Sequence, residues 1–275
     1  MKVLVTGASG RIGRVLVHGL PSSGFELRPT DRTNANPDPV ADLVVADLAD
    51  PATCRDLVRG VDAVVHLAGH PNTDDWDEAM RINVEMARQV FSAAADTGVR
   101  SIVYASSIHV AGMHPVGTRF DSETAIAPDG AYGSSKAMAE DVLRCIAAIY
   151  GISCVALRIG SFRPAPTNVR ELSTWLSHDD CVAVVAAALQ VSQPGFTPIW
   201  AFSDNSRAPV DREMWRQVGY RPQDDAEDHV GALVADGIDT DGAGECPLLG
   251  GEFAERTLAN VEARRTKAEG PATRV

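Results

Sequence analysis

The stretch VLVTGASGRIG, residues 3–13, runs from an apolar, β-branched segment straight into three glycines, Gly7, Gly10 and Gly13. Apolar residues of that type favour a strand, and the segment beyond Gly10 has helical spacing. A strand that ends in glycines and passes into a helix makes a tight turn. Its backbone N–H groups, helped by the helix dipole, can receive an anionic pyrophosphate. The spacing is G-x-x-G-x-x-G rather than G-x-G-x-x-G, but the flanking strand and helix supply the required context. This stretch predicts a dinucleotide-binding strand–helix unit.

Working outward, similar apolar runs recur in KVLVTG, FELRPTD, DLVVAD, DAVVHLAG, SIVYASS and SCVALRIGS. Segments of helical length lie between several of them: GRIGRVLVHGL, ATCRDLVRG, WDEAMRINVEMARQVFSAAADTG and AYGSSKAMAEDVLRCIAAIYG. Runs without polar alternation predict strands buried on both faces, as in a parallel sheet covered by helices. The alternation predicts an α/β fold with a doubly wound parallel sheet of the Rossmann kind. The third helix is expected to stop at Gly98. Beyond residue 158, Pro164, Pro166, Pro194, Pro198, Pro209 and Pro222 break the pattern, predicting a small irregular C-terminal lobe at the carboxyl edge of the sheet. The expected division is a nucleotide-binding core at 1–160, a substrate lobe at 161–250 interleaved with the last core elements, and a terminal helix and tail at 251–275.

A chain of 275 residues with a formal charge of -12 has the size for a large core but lacks the basic excess that nucleic acid or an anionic membrane would require. It has no apolar run long enough to span a bilayer, and Met1 leads directly into KVLVTG without a signal-type segment, so a cytoplasmic location is expected. The five cysteines show no C-x-x-C spacing, so neither disulfides nor a metal is expected. DGIDTDGAGE, 236–245, places Ile238 and Thr240 where calcium ligands would recur and is read as a solvated loop.

The second strand closes on Asp31, 18 residues beyond Gly13. A carboxylate there accepts bonds from an adenosine ribose and repels a 2′-phosphate, favouring NAD over NADP, although the adjacent Arg32 could accommodate a phosphate. Asp47 and Leu48 fit an adenine edge, and an N-cap explains the aspartate equally well. In GAYGSSK, 130–136, Tyr132 and Lys136 stand one above the other on a helix. The ammonium is expected to favour phenolate and bring the tyrosine down toward neutrality.

Together, TGASGRIG, Asp31, Asp47-Leu48, HLAG at 66–69, Asn83, ASS at 105–107 and Tyr132-x-x-x-Lys136 resemble the extended short-chain dehydrogenase/reductase superfamily. The resemblance implies that Tyr132 is the acid/base, that Lys136 holds the nicotinamide ribose and that Ser107 polarises the reacting oxygen. It implies an NAD site that also includes Arg11, Ile12, Leu67, Ala68, Gly69 and Ile159. It further implies a homo-oligomer, a dimer or higher, paired through helices near 76–97 and 131–150.

RIGSFRPAPTNVRELSTWLSHDD, 158–180, with PIWAFSDNSR and GYRPQDDAED, is similar to uronate dehydrogenases, NAD enzymes that oxidise the anomeric hydroxyl of galacturonate or glucuronate to an aldarolactone. That similarity implies a small sugar acid as substrate, with Arg170 gripping its carboxylate, Ser161 and His109 bonding hydroxyls beside Ser107, and Asn168 supporting the loop. SHDD at 177–180 is read as the cap of a helix beginning near Cys181. Ile108 and Pro71 depart from the polar residues of that family, and Arg163 stands where a small polar residue is expected. A sugar phosphate is therefore the alternative substrate, and an epimerase or dehydratase retaining its NAD, or a nucleotide sensor, the alternative class.

Overall fold

The computed structural model describes residues 1–34, 38–71, 73–242 and 246–269. Strands β1 (Lys2–Thr6), β2 (Glu26–Asp31), β3 (Val44–Val45), β4 (Ala63–His66), β5 (Ser101–Ser107) and β6 (Ser153–Ile159) lie in one sheet, and β7 (Ser161–Phe162) pairs with β8 (Trp175–Leu176) outside it. Strand β9 (Gly195–Ala201) completes the main sheet in the order β3-β2-β1-β4-β5-β6-β9, with every pairing parallel.

Both faces of the sheet are apolar. Val3, Val5, Val103, Val155 and Leu157 point to one side, where Leu16 of helix α1 (Arg11–Gly19) packs. Leu4, Ile102, Tyr104, Cys154 and Ala156 point to the other, toward α2 (Pro51–Val58). Helices α3 (Trp76–Ala79), α4 (Met86–Asp96) and α5 (Ala131–Tyr150) follow, and residues of α4 and α5 complete this second layer. Later come α6 (Glu171–Thr174) and α7 (His178–Leu189), whose Cys181, Val184 and Val185 join the layer of α1. Helices α8 (Glu213–Gln217), α9 (Val230–Ala235) and α10 (Glu252–Glu269) end the chain. A separate small cluster of Leu172, Trp175, Ala226 and Leu233 holds α6 and α9 together. The doubly wound expectation is met.

Four details differ from the expectations. DLVVAD contributes only Val44 and Val45, and both are exposed, because β3 is an edge strand paired on one side alone. The helix over 76–97 contains a π-helical segment, Met80–Glu85, between α3 and α4. The strand Gly195–Ala201 lies where the prolines of the sequence predict irregular structure. Pro198 is accepted there because β9 is the other edge and needs partners on one side only. Finally, α7 begins at His178, three residues before Cys181, with Ser177 accepting the Asp180 N–H. As expected, α4 ends just before Gly98, which has φ 83°. Part of the 236–245 loop, residues 243–245, lies outside the described residues.

A buried ion pair ties α5 to the sheet. Arg158 of β6 donates from Nη2 to Glu140 Oε2 at 2.8 Å and from Nε to Oε1 at 3.1 Å, while Ser106 donates to Oε1 at 2.5 Å. Breaking such a pair from one side strands the other charge at a cost of about 3–5 kcal/mol. Arg158→Ala should therefore lower the unfolding free energy in urea by about that amount, whereas Arg158→Met combined with Glu140→Leu should lose much less. Equal losses in the two variants would show that lost packing, not the stranded carboxylate, sets the cost.

Candidate active site

The order of the sheet reverses direction at β1, and chains leaving β1 and β4 diverge to opposite faces. A crevice opens at the carboxyl ends of the strands at such a point. Here it is a cavity of about 430 Å³, lined by Gly7, Gly10, Arg11, Ile12 and Gly13 after β1, by Leu67 and Gly69 after β4, by Ser107 at the end of β5 and His109 just beyond it, by Ile159 at the end of β6 and by Ser161 at the start of β7. Tyr132, Lys136, Arg163, Arg170 and Phe253 close it.

The glycine turn is shaped by lack of space. Gly7 has φ 69°, and a Cβ there would stand 2.8 Å from Ala68 N; one on Gly13 would come 2.6 Å from Ala8 Cα. Helix α1 therefore starts against the end of β1. Its N-cap, Gly10, has no side chain to satisfy the first N–H groups, and its first turn carries no acidic residue. Those free donors fit a pyrophosphate. Asp31 lies beside the turn, with Oδ2 accepting from Ser9 N at 3.0 Å and Ser9 Oγ at 2.6 Å, and Oδ1 accepting from Arg32 N at 2.7 Å. Arg32 is exposed. Asp47 is exposed and accepts the Ala49 N–H, while Asp50, not Asp47, caps α2; Leu48 is buried in the core.

Asn83 sits on the π-helical segment and is buried. Its Oδ1 accepts from His70 N at 2.7 Å, and its Nδ2 donates to His70 O and to Ser135 Oγ. The extra residue of the π turn aims this amide at the loop after β4 and pins it to α5.

Tyr132 and Lys136 occupy the first turns of α5, as expected. Lys136 Nζ donates to Ala105 O at 2.8 Å and lies 5.8 Å from the Tyr132 ring centre and 4.8 Å from that of Tyr104. The expected lowering of the tyrosine is not what this arrangement produces. Burial pushes Tyr132 up to about 12, a hydrogen bond with Ser107 opposes this, and the Asp129 carboxylate adds to it. Burial also brings Lys136 down to about 8, with Glu140 one turn away working against the shift. Desolvation of both groups outweighs their mutual effect.

Arg170 lies at the start of α6, and its Nη1 donates to Leu249 O at 3.1 Å. Burial is the main cause that lowers its pKa, and among the described residues it forms no ion pair. Arg163 is different: its Nε lies 2.7 Å from Oε1 of Glu171, whose other oxygen accepts from Thr167 N and Oγ1. Ser161 Oγ pairs with Thr174 Oγ1 at 3.0 Å, and Asn168 Oδ1 accepts from Glu171 N, which braces the loop. Ile108 and Pro71 both reach the cavity, Ile108 with most of its side chain in the core.

Three residues of this site escaped sequence reading. Phe253 arrives from the far C-terminal helix, and its ring lies tilted 4.3 Å from the His109 ring centre. Glu171 neutralises Arg163. Asp129 lies 2.5 Å from His109 Nδ1; in the sequence, Asp129-Gly130 before a helix signals only a turn.

The sequence profile of the NAD dependent epimerase/dehydratase family matches residues 3–170. A uronate dehydrogenase of Pseudomonas putida is 36% identical over 236 residues, covering 85% of this chain and 88% of that protein. An NAD-dependent glucose-6-phosphate dehydrogenase of Haloferax volcanii is 32% identical over 247 residues, covering 82% and 94%. The crystal structure of uronate dehydrogenase from Agrobacterium tumefaciens superposes with a TM-score of 0.84 at 31% identity, covering 92% of this chain and 96% of that one. A mutant of that enzyme complexed with NAD gives 0.82 at the same identity, covering 92% and 97%.

The charge state of Lys136 has a measurable consequence. Its ordinary value is 10.5 and its folded value about 8. Between those pH values the unfolded chain binds a proton that the folded one releases, so this residue makes stability rise with pH across the window and costs most below it. Lys136→Met should raise the stability measured in urea at pH 7 by up to about 3 kcal/mol, with the gain shrinking toward pH 10. A difference that stays constant over that range would refute the buried-ammonium account.

Proposed function

The chain belongs to the NAD dependent epimerase/dehydratase family, and from that premise we propose that it is an NAD-dependent dehydrogenase oxidising the anomeric hydroxyl of a hexuronate, such as galacturonate or glucuronate, to an aldarolactone. The observation that carries this reading is the contrast between the two arginines of the cavity. Arg163 already has Glu171 as its counter-charge, whereas Arg170, which is partly buried, has none among the described residues. A partly buried guanidinium without an ion pair suits an anionic ligand, and a carboxylate matches its fork in shape and charge.

When bound, NAD supplies the hydride acceptor. The glycine turn and the start of α1 hold its pyrophosphate, and Asp31 favours the unphosphorylated ribose. Tyr132 receives the hydroxyl proton. Ser107 supports this step by hydrogen bonding to the phenol, and Lys136 by its positive charge, which favours the phenolate formed as the proton moves. Ser161 and His109 line the same cavity and bond hydroxyls of the sugar ring, while Asn168 and Glu171 hold the loop that presents Arg170. Two copies pair through the face of α3, α4 and α5, where Trp76, Met138 and Ile149 stand exposed.

The sugar-phosphate reading retains one argument, since Arg163 also reaches the cavity. Arg170→Ala should lower kcat/KM on a uronate by roughly 30- to 1,000-fold, because a charge-assisted bidentate contact is worth on the order of 2 to 4 kcal/mol. Arg170→Lys should recover little, and Arg163→Ala should change uronate oxidation only slightly. Loss on a sugar phosphate at Arg163 alone, with Arg170 silent, would overturn the uronate reading. Tyr132→Phe should keep NAD affinity while losing ~10²- to 10⁴-fold in turnover. Steady accumulation of NADH with substrate separates a dehydrogenase from an epimerase that regenerates its cofactor.

A further inference from the structure

Asp129 stands three residues before Tyr132 and is almost wholly buried. Its surroundings are backbone. A Cβ on Gly112 or Gly250 would collide with Oδ2, and one on Gly133 would come 2.8 Å from Oδ1. Three parts of the chain meet there: the turn after β5, the start of α5, and the C-terminal stretch that carries Leu249 and Phe253. Within this cradle Oδ2 lies 2.5 Å from His109 Nδ1, and Oδ1 has no partner among the described residues. A carboxylate buried this deeply is costly unless it is hydrogen-bonded, and His109 is its partner among the described residues. An ionised carboxylate only accepts, so the proton of this bond sits on Nδ1.

His109 is held on its other sides as well. Its ring lies 4.3 Å from that of Phe253 and 5.7 Å from that of Tyr132, and its backbone N–H donates to Ser107 Oγ at 3.3 Å. The residue lines the cavity beside Tyr132. With Nδ1 committed to Asp129, the nitrogen left for a ligand is Nε2. We propose that Asp129 is a positioning residue. It fixes His109 in the tautomer with Nδ1–H on the carboxylate and presents Nε2 to the cavity as an acceptor for a hydroxyl of the sugar acid. The substrate identity in this proposal rests on the uronate reading; the orientation of the ring does not.

The tautomer is read directly by nitrogen-15 NMR of histidine-labelled protein at pH 8, above the ordinary imidazole range, with His109 assigned through His109→Gln. The expected spectrum has a proton on Nδ1 and a bare Nε2, and Asp129→Asn should move the proton to Nε2 because the new amide donates to Nδ1. A protonated Nε2 in the unaltered protein overturns the proposal. With a uronate, Asp129→Asn and His109→Ala should each lower kcat/KM by roughly 10- to 100-fold, the scale of one lost oriented hydrogen bond, with NAD affinity unchanged. The double variant should lose no more than the worse single one, and additive losses would overturn the coupling. Where Asp129→Asn does not fold, His109→Gln, which keeps an acceptor oxygen, should retain more activity than His109→Ala; equal losses count against the proposal. If the unaltered protein oxidises no uronate, the uronate reading fails, and the spectrum alone decides the orientation.

Discussion

The site depends on the approach of two helices to strand ends at distances that leave no room for a side chain. Helix α1 starts against the end of β1 because Gly13 lacks the Cβ that would run into Ala8, and α5 starts against the turn after β5 because Gly133 lacks the Cβ that would run into the His109 carbonyl. The first contact brings backbone donors to the crevice, and the second brings Tyr132 and Lys136 beneath Ser107. A methyl group at either position would lift its helix away from the sheet, and packed cores take up such a shift poorly. The two glycines thus set the separation between the backbone donors at the start of α1 and the tyrosine and lysine carried on α5.

What was legible in the sequence follows from how local each cause is. The strand, turn and helix at 2–19 could be read because every residue that shapes them lies within that stretch, and the helix at 131–150 because its periodicity is sustained. The edge strand β9 was hidden by Pro198, which forbids a central strand but not an edge. The π turn at Met80–Glu85 leaves no compositional mark, since it serves Asn83, whose partners lie on another loop and another helix. Phe253 and Asp129 were invisible for the same reason: their meaning lies in a contact across more than a hundred residues in one case and in a cradle built from three separate segments in the other.

The tyrosine shows where pairwise reasoning from spacing goes astray. One turn of helix does bring the ammonium close to the phenol, but the same geometry takes both groups out of water, and desolvation is the larger effect on each. Each group is pushed toward its neutral form. A nearby positive charge from a ligand would shift that balance in the direction of phenolate.

Charge placement across the cavity sorts its residues by what they leave unfinished. Glu140 has Arg158 and Ser106, and Glu171 has Arg163 and Thr167, so these carboxylates are satisfied within the protein and serve the fold. Arg170 and Asp129 are not complete in that way: among the described residues one is a partly buried cation whose side chain donates to a single carbonyl, the other a buried carboxyl group with one oxygen lacking a partner. Groups buried at a cost that the fold does not offset are retained where a ligand completes them or where they act through a neighbour. Arg170 opens directly onto the cavity and is placed for the first role. Asp129 is screened from the cavity by the histidine it holds, which leaves it the second.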